Sequence, residues 1–103
     1  MRTKSASKTI TTDPDWLGPA ISPGEMLLEE FLKPCGLGQV EASRRLRISL
    51  SRLNEIVLGK RGITADTALR LARLFKMSPQ FWMRLQADWE LHQAIERRAG
   101  KAS

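Results

Sequence analysis

Residues 39–59, QVEASRRLRISLSRLNEIVLG, carry the pattern on which the fold turns. Ala42, Ser43 and Leu46 share one side of a short helix, Ile48 follows at a turn, and Leu53 with Ile56 or Val57 recur at helical spacing behind the cap Ser49. Two short helices joined by a tight turn, with inward residues in this order, describe a helix-turn-helix, and the small Ser43 permits close helix approach. With Leu53 and Ile56 pointing in, Ser49, Leu50, Ser51, Asn54 and Glu55 face outward near the start of the second helix, with Arg52 to one side. Side chains so placed suit entry into a major groove.

Outward from this stretch, helix signals continue in both directions. Ser22-Pro23-Gly24-Glu25 is a helix start, with a capping hydroxyl, proline at the first helical position and an acid three residues after the serine. Met26, Leu27, Glu30 and Phe31 follow, and Pro34 sets the stop. The second helix should run from Gly38 to about Leu46, and the third from Ser49 to Leu58, ending at Gly59. Thr64-Ala65-Asp66-Thr67 opens a fourth, and Ser78-Pro79-Gln80-Phe81 a fifth that carries Phe81, Trp82, Leu85, Trp89, His92 and Ile95 on one broad stripe. No segment alternates as a strand does, so the expectation is an all-α, five-helix domain. Its bounds are expected at residues 21–96, after a flexible segment 1–20 and before a frayed basic tail 97–103.

Composition narrows function. Seventeen Lys and Arg against eleven Asp and Glu leave +6 on 103 residues, which favours a polyanionic partner. Between Arg44 and Arg61, Arg44, Arg45, Arg47, Arg52, Lys60 and Arg61 face only Glu55, so most of the surplus lies on the helix-turn-helix and the turn after it. Cys35 is the single cysteine, which excludes an intramolecular disulfide and a multi-thiolate zinc site. With one histidine, His92, and no tyrosine, nucleophile–base pairs are scarce, and neither an enzyme, a metal site nor a cofactor is expected. No apolar run approaches the roughly 20 residues that cross a bilayer, and no secretory signal is evident; a cytoplasmic protein is expected, nucleoid-associated when on DNA.

The run from Gln39 to Gln86 resembles the HigA-type antitoxins, a branch of the Xre/Cro, lambda-repressor-like helix-turn-helix family. The resemblance spans residues 21–91, and Pro23-Gly24-Glu25 matches as well. Its most specific parts are Asn54-Glu55-Ile56-Val57, the stretch from Gly59 to Ala68, and Ser78-Pro79-Gln80-Phe81-Trp82. It implies a homodimer that binds palindromic operator DNA in its own promoter and captures a HigB/RelE-like mRNA-cleaving toxin. By the same resemblance Gln39, Lys60 and Arg61 hold phosphates, while Ser49, Leu50, Ser51, Arg52 and Glu55 lie in or beside the base-reading region. Arg52 is expected to contact a base, and Asn54 belongs to the same face. A stand-alone repressor without a toxin is the alternative.

Three departures from that pattern stand out. Arg47 replaces the usual turn glycine, at a cost of roughly 0.5 to 1 kcal/mol if the turn is unchanged; the turn is expected to persist with Arg47 near the DNA backbone. Leu50 stands where polar readers are common, and can meet only a thymine methyl group. Gly38 replaces a serine cap. Phe81, Trp82, Leu85 and Trp89 carry more apolar area than a small domain readily covers, and are assigned to a two-fold interface. Trp16, Leu17 and Ile21 are the candidates for toxin contact.

Overall fold

The computed structural model describes residues 21–102, so Trp16 and Leu17 lie outside the described residues. Five helical segments and no strand are present among them. The first, α1, spans Pro23–Leu27 and continues as a π-helical turn, Leu28–Leu32. Ser22 starts it as the sequence indicates, its Oγ accepting from the Glu25 N–H at 3.1 Å. In a π turn the hydrogen bonds join residues five apart, as from the Lys33 N–H to the Leu28 carbonyl. Leu27 and Leu32, five apart in sequence, are both fully buried as a result. A regular helix would send them to different sides.

Gly24 explains why α1 sits where it does. A Cβ built on it would lie 1.7 Å from the Ile56 carbonyl oxygen, so the backbone of α1 rests directly on the end of the third helix. The glycine of the Pro23-Gly24-Glu25 motif is thus a packing residue rather than a turn residue. Helices α2 (Gln39–Leu46) and α3 (Leu50–Val57) form the helix-turn-helix, with Ala42, Ser43, Leu46, Leu53 and Ile56 buried and Ile48 packed against them. The Ser43 hydroxyl donates to the Val40 carbonyl at 2.8 Å, which disposes of its polarity inside the contact.

Helix α4 (Ala65–Phe75) is capped by Thr64, and α5 (Pro79–Ala102) by Ser78, whose Oγ accepts from the Phe81 N–H at 3.1 Å. The expected fraying from Arg97 is not observed: the helix runs to Ala102, and nothing after Pro79 breaks it. Trp82 requires a second correction. It is fully buried, its ring 5.0 Å from that of Phe31 and 5.1 Å from that of Phe81, so its own chain consumes the surface that was assigned to a second subunit. Phe81, Leu85 and Trp89 are only half-buried.

Two glycine substitutions test this packing. Gly24→Ala should lower unfolding stability by about 1–3 kcal/mol, because backbone cannot yield as a flexible side chain does. Gly38→Ser should raise it by a few tenths of a kcal/mol, since Gly38 caps α2 with no side-chain hydrogen bond and has open space where a Cβ would go. Urea denaturation of both variants checks the opposite signs.

Candidate nucleic-acid interface

The turn between α2 and α3 holds Arg47 at φ 61° and ψ 43°, the left-handed region, so the arginine keeps the backbone that glycine would ease. Hydrogen bonds from Arg47 N–H to the Arg44 carbonyl and from Ile48 N–H to the Ser43 carbonyl close the end of α2. The carbonyls of Leu46 and Arg47 accept from Nη1 of Arg70 at 3.0 and 3.2 Å. Arg70 is in turn held by Asp66, one helical turn earlier on α4, at 2.8 Å. The turn is therefore clamped from α4.

The same Asp66 carboxylate lies 3.6 Å from Arg52, whose guanidinium donates to Thr67 Oγ1 at 2.6 Å. Arg70 first, and then Arg52, hold the Asp66 carboxyl below the usual carboxylate range. Arg52, which the sequence places in or beside the base-reading region, is half-buried and directed at the first turn of α4. The sequence reading missed Asp66, Thr67 and Arg70. Their signal was the Asp66/Arg70 spacing of four on one helix, which pairs charges along a helix face.

The other expected contacts are also brought together, several of them already paired. Asn54 donates to Gln39 Oε1 at 3.3 Å, tying α3 to the start of α2. Glu55 accepts both Nε and Nη2 of Arg61 at 2.8 Å, while its backbone carbonyl accepts the N–H groups of Lys60 and Arg61. This one residue shapes the basic turn, with Gly59 supplying the positive φ of 79° that the chain reversal needs. The far end of that turn is pinned to α5, where Gln86 Oε1 accepts from the Ile63 N–H at 2.8 Å. Lys60 and Arg47 are exposed and have no ion-pair partner among the described residues. Ser49 serves as the α3 cap, accepting from Arg52 N–H at 3.0 Å, and Leu50 and Ser51 stand exposed beside it.

Elsewhere, Trp89 stacks on His92 at 6.2 Å on the flank of α5, and Ile21 is exposed where the described chain begins. No group of acidic, histidine and cysteine side chains able to hold a metal occurs among the described residues, and none of their helices is long and apolar enough to cross a membrane. The arrangement is one for binding. An exposed helix edge of small and apolar side chains is flanked by unpaired cations, which can meet phosphates on either side of a groove.

Comparison with known proteins agrees with that geometry. A helix-turn-helix family model matches residues 28–82. Virulence-associated protein I of Dichelobacter nodosus is 53% identical over 76 residues, 74% of this chain and 70% of that protein. The solved structure of the Pseudomonas aeruginosa antitoxin HigA with the higBA promoter is similar at a TM-score of 0.77 and 39% identity, covering 82% of this chain and 92% of that one. The antitoxin GraA in complex with its operator gives 0.74 and 33%, over 82% of this chain and 85% of that one.

The clamp has a pH signature. A carboxyl whose pKa is lowered on folding adds stability that is present above its unfolded pKa and lost as pH falls through the folded value. Asp66→Asn should therefore destabilise the chain at about pH 7, and its effect should shrink at about pH 3, as wild-type Asp66 begins to take up its proton. Guanidinium unfolding of both proteins at the two pH values reads the difference.

Proposed function

This chain belongs to the helix-turn-helix family, in its Xre-like branch with HigA-type antitoxins as structural relatives, and from that footing we propose that it is the antitoxin of a type II toxin–antitoxin pair. In this reading it binds its operator as a homodimer, represses its own operon, and neutralises a HigB/RelE-like toxin that cleaves mRNA. The observation that carries the reading is the clamped turn. It presents Ser49, Leu50 and Ser51 on an exposed edge between the unpaired cations Arg47 and Lys60. The likeness to an antitoxin solved with its promoter, at 39% identity, supports it.

The work divides by residue. Lys60 and Arg47 would neutralise phosphates and release counterions, with Gln39 positioned by Asn54 to meet the backbone at the start of α2. Arg61 would remain on Glu55 and hold the turn in shape, its exposed edge within reach of the same strand. Half-buried Phe81, Leu85 and Trp89 would form the two-fold contact, placing two α3 helices about 34 Å apart, one turn of DNA. Ile21, exposed at the start of the described chain, fits toxin contact together with Trp16 and Leu17. Toxin capture and DNA binding would thus use different surfaces.

Three measurements follow. Sedimentation equilibrium at micromolar concentration should return a dimer, and Leu85→Glu a folded monomer whose operator affinity falls at least tenfold; a wild-type monomer would overturn the two-fold model. Lys60→Ala should reduce the slope of log K against log salt by about 1 on operator and random duplex alike. Co-expression with a HigB/RelE-like toxin encoded beside it should give a complex in which mRNA cleavage is silenced. Operator binding without such a complex would make the chain a repressor alone.

A further inference from the structure

Reading a base requires a side chain that is exposed on the leading edge of α3 and not already committed. The structure sorts the candidates on that criterion. Arg52 is engaged by Thr67 and Asp66, Asn54 by Gln39, and Glu55 by Arg61. Ser49 Oγ is taken up in capping α3. Leu50 and Ser51, the first two residues of α3, have no side-chain hydrogen bond among the described residues. Leu50 is 46% exposed and lies outside the apolar core. A leucine half in water at the first position of a helix contributes little to folding, since that position favours groups that answer the free N–H groups of the first turn.

We propose that Leu50 reads the 5-methyl group of a thymine in each operator half-site, with the Ser51 hydroxyl beside it on a neighbouring base edge. The assignment rests on the operator-binding reading above. The chemistry of the groove selects the partner. Among the four bases only thymine presents an apolar group in the major groove. Against guanine O6 and N7 or the cytosine amino group, leucine would strip water from a polar atom and return no hydrogen bond. Leu50 therefore favours T·A and rejects G·C at the same position. Because Arg52 is withdrawn to α4, the bidentate guanine contact that an arginine makes from this face is not available to this chain as folded.

The full-length chain is first used to select duplexes from a randomised library, and the enriched duplex is then rebuilt with deoxyuridine replacing one thymidine at a time. One thymine per half-site should prove sensitive, loss of its methyl weakening wild-type binding about three- to tenfold. Leu50→Ala should bind the parent duplex more weakly by a similar factor and become indifferent to uracil at that position. Leu50 is exposed, so the variant should keep its fold, checked by an unchanged helical circular-dichroism spectrum and cooperative urea unfolding. Uracil tolerated at every position, or a uracil penalty that persists in Leu50→Ala, overturns the assignment while leaving operator binding intact. A selection that enriches no sequence overturns the operator reading itself, and this inference with it.

Discussion

Arg70 makes the helix-turn-helix of this chain possible with the residues it has. The turn places an arginine, Arg47, in the left-handed backbone region, which an L-residue adopts only at a cost relative to glycine. It also leaves the last carbonyls of α2 without helical donors. One guanidinium answers both problems. Its Nη1 takes the carbonyls of Leu46 and Arg47, and its Nε rests on Asp66, so the strained turn is fixed by a charged donor whose own position is fixed. The same carboxylate draws in Arg52 from α3. Thus α2, α3 and α4 meet at a single acid, and the angle at which α3 is presented is set by a lattice that no one helix contains.

That lattice also decides where the basic charge is useful. Counting cations along residues 44–61 suggests a uniformly adhesive face, but the structure partitions them. Arg45 and Arg44 are drawn toward Glu41, Arg61 is held by Glu55, and Arg52 is turned inward. Exposed ion pairs of this kind add little stability, and their effect here is chiefly to fix side chains in place. Arg47 and Lys60 stay unpaired, one at the turn before α3 and one in the turn after it. On the proposed reading, these two cations, unpaired among the described residues, would meet phosphates at both ends of α3 and leave the side chains between them to discriminate sequence.

Much of this was legible in the sequence because it is written locally. Caps at Ser22, Ser49, Thr64 and Ser78, the stop at Gly59, and the buried set Ala42, Ser43, Leu46, Leu53 and Ile56 all follow from spacing within one or two turns. What was not legible depends on which helices meet. The π turn that aligns Leu27 with Leu32 has no local signal, and the reach of Arg70 across 23 and 24 residues cannot be read from periodicity. Trp82 shows the same limit from the other side: its place on the stripe of α5 was right, but a stripe reports only that a face is covered, not by which chain. Phe31, which closes over it from α1, lies 51 residues away in sequence.

The division between Trp82 and its neighbours bears on how α5 is held in the domain. Trp82 and Gln86 tie α5 into the domain, one through the aromatic cluster and the other through its hydrogen bond to the Ile63 N–H at the end of the basic turn. A Cβ on Gly62 would approach the Gln86 side-chain amide to 2.7 Å, so the turn carrying Lys60 and the helix carrying Leu85 and Trp89 are in close contact. If a second copy pairs along α5 as proposed, a shift of that helix would reach the turn that carries Lys60. Under the proposed function such a contact would let assembly bear on DNA geometry, because densely packed interiors transmit strain. The exposed chain start at Ile21 adjoins this contact through Ser22 and Pro23, which line the same cavity of about 300 Å³ as Gly62, Gln86 and Trp89. On the proposed reading, a partner gripping the chain there would sit beside both α5 and the basic turn, and the two surfaces, though distinct, would adjoin through this cavity.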